Sequence, residues 1–141
     1  MKPASREHDN HVWLREICAG KALYIFARGH CMSPLIEDGA RLSVKRRRHY
    51  LPGDILVCRS AAGNYQVHRL LGAARWRGRK LLVTRGDNSG RIDGRIQADQ
   101  VLGKVTGGDC DPRAVTIPLS HRLTALGLFF SFALKRFTLP R

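Results

Sequence analysis

Three short segments hold the residue types that bond-breaking chemistry needs. Gly29-His30-Cys31-Met32-Ser33-Pro34-Leu35-Ile36-Glu37-Asp38-Gly39 carries a thiol just after a strand-like run, followed by a proline that fixes φ and removes a donor. Strand-to-turn junctions often display catalytic groups, although a lone cysteine is more commonly a small buried apolar residue. Val67-His68-Arg69-Leu70 sets an imidazole inside an alternating strand pattern. Imidazole titrates near neutrality and suits a general base; the plain alternative is a half-buried strand histidine with a local hydrogen bond. Arg85-Gly86-Asp87-Asn88-Ser89-Gly90-Arg91-Ile92-Asp93 offers two carboxylates in a glycine-rich loop. Turn chemistry alone explains such a composition. A calcium loop fits poorly, because Arg85 and Arg91 intrude and no bidentate glutamate follows.

The surrounding pattern predicts a mainly β protein that positions these groups. Strand-like runs fall at Ala22–Ala27, Ala40–Val44, Ile55–Cys58, Tyr65–Leu71, Lys80–Thr84, Val101–Val105 and Ala114–Ile117. Turn signals separate them, among them Glu37-Asp38-Gly39, Pro52-Gly53-Asp54, Ala62-Gly63-Asn64, Gly86-Asp87-Asn88 and Gly107-Gly108. Many short strands so punctuated suggest a sandwich or a barrel. Only the ends look helical. Residues 10–21 predict a short helix with Asn10 as its cap, and Leu123–Leu134 is a 12-residue apolar run between Arg122 and Lys135-Arg136. The organisation expected is an N-terminal extension over 1–21, a β domain over 22–118 and a hydrophobic, basic-flanked helix over 119–141.

The chain has 141 residues, enough for one domain with a real core. Its formal net charge is +14, from 25 Lys plus Arg against 11 Asp plus Glu. Such a balance calls for an anionic neighbour: nucleic acid, acidic lipid or an acidic peptide. Lys45-Arg46-Arg47-Arg48 is the densest block. The four cysteines, at 18, 31, 58 and 110, form no Cys-x-x-Cys pair, so neither a zinc site nor a disulfide scaffold is indicated, and no cofactor motif appears. Met1–Asn10 is polar and lacks the apolar core of a secretory signal. The apolar run near the C-terminus would cover roughly 18 Å as a helix, short of a bilayer core of about 30 Å. The expected setting is cytoplasmic. The C-terminal run is either a helix packed on the domain or an interfacial helix, with 119–137 then resting on an anionic membrane surface.

Taken in order, the segments resemble the signal peptidase and SOS-repressor-type peptidase superfamily. Cys31-Met32-Ser33-Pro34 resembles its Ser-Met-x-Pro motif, and Glu37-Asp38-Gly39 with Ala40–Val44 resembles the continuation. Pro52-Gly53-Asp54-Ile55-Leu56-Val57 resembles its Gly-Asp-hydrophobic strand, and Val101-Leu102-Gly103-Lys104-Val105 its closing Gly-Lys-Val strand. His68 stands where the superfamily places its base, and Arg85-Gly86-Asp87-Asn88 with Asp93 resembles the box of the archaeal and endoplasmic-reticulum branch. The likeness spans about residues 24–106. It implies a β-barrel or coiled β-sheet fold and a Ser-His-Asp type of site. Cys31 replaces the nucleophilic serine.

The resemblance implies a peptidase acting on an extended peptide or protein segment. Cys31 attacks, and His68 either takes its proton or rests beside it as an ion pair. Asp93 or Asp87 orients His68, backbone N–H groups around Cys31 hold the oxyanion, and Met32, Ser33 and Pro34 meet the substrate. A neighbouring histidine, helped by Arg28, Arg69 and Arg85, would lower the thiol's pKa. Two other classes compete. One is a catalytically inactive module that keeps the peptide groove; the other is a basic nucleic-acid-binding protein. No helix-turn-helix, zinc finger or RNA-binding aromatic motif is evident, so no specific nucleic-acid partner is expected. The sequence leaves the oligomeric state open.

Overall fold

The computed structural model describes residues 20–59 and 64–138. The helix expected over 10–21, except its last two residues, and Cys18 lie outside them. Seven strands form one antiparallel sheet: β1 (Leu23–Phe26), β2 (Arg41–Lys45), β3 (Ile55–Arg59), β4 (Tyr65–Trp76), β5 (Arg79–Arg85), β6 (Ile92–Gln97) and β7 (Val101–Gly108). Their spatial order is β1-β2-β7-β3-β4-β5-β6. The protein is therefore mainly β, as expected. The sheet is open, with β1 and β6 as its edges, and does not close into a barrel.

Apolar alternation explains why the sheet folds on two fronts. Leu42, Val44, Ile55, Val57 and Val105 turn one face towards Ala27, Met32, Leu35 and Ile36, so the segment after β1 lies across that face as a lid. Leu56, Cys58, Leu70, Leu82 and Val101 build a smaller cluster with Tyr50 and Ile96. Directly paired residues of antiparallel strands share a face. Thus Leu56, paired with His68, and Ile55, paired with Arg69, belong to different clusters.

The single helix among the described residues, α1 (Leu119–Thr138), has 20 residues and extends beyond both ends of the 12-residue apolar run. Ala125, Leu128, Phe129 and Phe132 pack it against Leu71 and Val83. Gly72 is what lets it approach: a Cβ there would lie 2.5 Å from the Phe129 ring. Buried Asp54 ties the helix down, accepting from Arg122 at 3.2 Å and from Lys104 at 3.4 Å while also capping the amide of Leu51. No helix among the described residues is long and apolar enough to cross a membrane.

Two expectations need correction. Ala114–Ile117 forms no strand. Asp111 caps a short 3-10 turn over Pro112–Ala114 through the amide of Arg113, and proline at the first position suits a helical turn. Conversely, β6 was not expected. Its sequence Ile-Asp-Gly-Arg-Ile-Gln has little apolar content, and its order comes from pairing with β5 along one side only.

Candidate functional site

The site sits where the lid after β1 meets the β4–β5 end of the sheet. The loop 86–91 between β5 and β6 grips the lid through backbone groups. The amide of Asn88 donates to the carbonyl of Cys31 at 2.8 Å, and its side chain donates to the carbonyl of His30 at 3.1 Å. The amide of Asp87 points at the Met32 sulfur, 3.4 Å away. This clasp holds Cys31 against β4, where its thiol lies 3.9 Å from the carbonyl oxygen of Val67.

His68 and Arg69 are consecutive on β4, so their side chains leave opposite faces. Each finds one of the two aspartates. Nδ1 of His68 is hydrogen-bonded to Oδ2 of Asp93, and that oxygen also accepts from the Thr84 hydroxyl at 3.2 Å. Arg69 grips Asp87 with two parallel hydrogen bonds of 2.6 Å and donates a third, of 2.8 Å, to the carbonyl of Gly53. Asp93, not Asp87, is therefore the carboxylate that orients His68.

With Nδ1 engaged, the free ring nitrogen of His68 is Nε2. It converges with Cys31 on a single point. A Cβ added to Gly86 would lie 3.3 Å from Nε2, 3.1 Å from the Cβ of Cys31 and 2.9 Å from its carbonyl oxygen. Gly86 thus leaves room between Nε2 of His68 and the Cβ and carbonyl oxygen of Cys31. Any side chain there would push between them.

The electrostatics of the thiol differ from expectation. Burial pushes the Cys31 thiol above its ordinary pKa, and the carboxylates of Asp93 and Asp87 push it further; the amides of Cys31 and Met32 work against this. The expected positive charges do not reach it. Arg69 is neutralised by Asp87, and Arg85 spends its Nε on the carbonyl of Ser89 at 2.8 Å. Arg28 makes no hydrogen bond or ion pair with the site residues. Burial and the neighbouring carboxylates thus favour the protonated thiol. The amides of Cys31 and Met32 favour negative charge at the sulfur.

The three residues expected to meet substrate divide. Met32 is 2% exposed and belongs to the core, so its side chain does not reach a ligand. Ser33 spends its hydroxyl on Glu37, to which it donates at 3.0 Å. Pro34, joined to Ser33 by a cis peptide bond, is exposed. Sequence reasoning missed Thr84 and the role of Gly86. For Gly86 the signal was the glycine itself, immediately before Asp87; for Thr84 there was none.

A cavity of about 200 Å³ lies beneath α1, lined by Arg69, Leu71, Arg85, Asp87, His121 and Ala125 among others. It touches the Arg69–Asp87 pair and includes neither Cys31 nor His68. Nδ1 of His121 is buried beside it without a partner. Among the described residues no group of His, Cys, Asp and Glu is arranged to hold a metal ion. Comparison of the chain with protein-family models and with curated proteins finds no match.

Proposed function

We propose that the protein is a peptidase whose nucleophile is Cys31, whose general base is His68 and whose orienting carboxylate is Asp93. One observation carries the reading: His68 is fixed through Nδ1 by Asp93, and its Nε2 shares the space left by Gly86 with the Cys31 side chain. The resemblance of the ordered motifs to the signal peptidase superfamily supports the same roles.

The chemistry follows from the resting state. His68 Nε2 removes the thiol proton as Sγ attacks the carbonyl carbon of a peptide bond, forming a tetrahedral intermediate. The amides of Cys31 and Met32 stabilise its oxyanion. The protonated imidazole, steadied by Asp93, then gives its proton to the departing amine, leaving a thioester. Water, deprotonated by His68, attacks that thioester and releases the acid product and the thiol. The substrate would be an extended segment of peptide or protein, aligned by strand addition at a sheet edge.

A second reading, a peptide-binding module without turnover, draws on the raised pKa of Cys31. Both are tested by incubating the full chain with a diverse peptide mixture and sequencing the products by mass spectrometry. The peptidase reading expects time-dependent cuts that vanish in Cys31→Ala and in His68→Ala. Identical products from wild type and Cys31→Ala would overturn it.

A further inference from the structure

The face of α1 turned away from the sheet is apolar along its length. Residues four, seven and eleven apart on a helix share one side. Ala125, Leu128, Phe129 and Phe132 occupy the side packed on Leu71 and Val83. Leu119, Leu123, Phe130 and Leu134 form the other side, and they are 71%, 58%, 58% and 63% exposed. Four large apolar side chains in one exposed row exceed the scattered singles that a soluble surface normally shows. The helix contains no Asp or Glu, while Arg122, Lys135 and Arg136 lie towards its ends.

A second feature stands beside it. The turn joining β4 and β5 carries Arg75, Trp76, Arg77, Arg79 and Lys80, all exposed, with no acidic residue between Ala73 and Lys80. Contacts show which way α1 runs relative to this turn. Arg122 meets Pro52 and Asp54, next to Leu70; Ala125 meets Leu71; Phe129 meets Gly72. From Gly72 the strand rises four residues to Trp76, about 13 Å at roughly 3.3 Å per residue. From Phe129 the helix rises nine residues to its end, about 13 Å at 1.5 Å per residue. The cationic turn is thus level with the C-terminal half of α1.

We propose that α1 and the β4–β5 turn dock the protein on an anionic lipid surface, with the Leu119–Leu134 row lying among the upper acyl chains and Arg75, Arg77, Arg79 and Lys80 among the headgroups. The combination decides between occupants. A net charge of +14 on each chain opposes pairing of two copies through this face. A nucleic acid would engage the turn but offers nothing to a row of leucine and phenylalanine. An anionic bilayer satisfies both, and an exposed tryptophan beside arginines suits the headgroup depth. The inference does not rest on the peptidase reading.

The test is co-sedimentation of the full chain with vesicles of phosphatidylcholine alone or with about one-third phosphatidylserine. Binding to the anionic vesicles is expected to exceed binding to neutral ones by at least about tenfold. The variant Leu123→Glu with Phe130→Glu should lose that binding while keeping the wild-type thermal midpoint. The variant Arg75→Gln, Arg79→Gln, Lys80→Gln should erase the preference for anionic lipid. Should the glutamate pair fail to fold, Trp76 fluorescence in Trp13→Phe background supplies a second readout. A blue shift with anionic vesicles, and quenching by brominated acyl chains, is expected. Unchanged vesicle binding by a folded glutamate pair would show that charge alone acts and would overturn the proposal. So would a dimer abolished by that pair without vesicle binding, or salt-resistant duplex DNA binding with none to vesicles.

Discussion

His68 and Arg69 are neighbours on one strand, and each ends against an aspartate from the same loop and the strand it leads into. The two pairs are almost equally buried: the side chains are 11% and 23% exposed for His68 and Asp93, and 8% and 22% for Arg69 and Asp87. Burial therefore does not separate their roles. The difference lies in what remains free. Arg69 spends three donors, two on Asp87 and one on Gly53, and a guanidinium never gives up its proton near neutrality. That pair can clamp a loop and do nothing else. His68 uses one ring nitrogen and keeps the other, on a ring whose nitrogens can each give or take a proton. Adjacent positions with similar partners can thus divide into a fastener and a proton carrier, because a strand sends them to opposite faces.

That contrast predicts separable mutants. Replacing Cys31 or His68 by Ala should abolish cleavage, a loss of at least about 1,000-fold, with little change in the urea midpoint. Arg69→Met should do the reverse in kind: it removes a buried guanidinium's three hydrogen bonds and frees the loop, and should cost about 1–3 kcal/mol in urea unfolding. If Arg69→Met proves as stable as wild type, the clamp is not one.

Gly86→Ala comes next in size. Its methyl would enter the space between Cys31 and Nε2, and a fall of about 100-fold in kcat is expected with KM much less affected. Retained activity would show that thiol and imidazole do not meet there. Asp93→Asn should lower kcat by roughly 100- to 10,000-fold while leaving stability near wild type, whereas Asp87→Asn should mainly lower stability. Equal effects of the two on kcat would dissolve the comparison.

The smallest expected effect concerns pH. Because burial and the nearby carboxylates raise the Cys31 pKa, the thiolate is disfavoured below it and grows as pH rises. Alkylation of Cys31 by iodoacetamide should therefore increase through a midpoint above the ordinary thiol value of about 8.5. Cys58, buried and pushed up to about 12, should be the slowest of the described cysteines. A Cys31 midpoint below 7 would instead mean a resting thiolate–imidazolium pair.

Much of this was readable from the chain. Six of the seven strands were expected near their observed places, because apolar alternation and Gly, Pro or Asp turns mark strands locally. The polar edge strand β6 was not, since it is ordered by pairing rather than by its own composition. The barrel alternative failed for a related reason: whether edges meet depends on sheet twist, which no local pattern encodes. Cys31, His68 and the two aspartates were singled out by residue type and order. Met32 was expected to meet substrate because the family resemblance implies it, whereas the structure buries its side chain in the lid core.

By itself, then, the sequence determined the inventory: which side chains can hold, move or attack with a proton, and which runs become strands. Those follow from residue chemistry and short-range periodicity. Only the tertiary structure decided the pairings. Asp93 rather than Asp87 meets His68 because β6 adds to β5 and carries Asp93 to the His68 face, while Asp87 stays in the loop beside Arg69. The upward shift of the Cys31 pKa was likewise decided there, since desolvation depends on what packs around a sulfur and not on its neighbours in the chain.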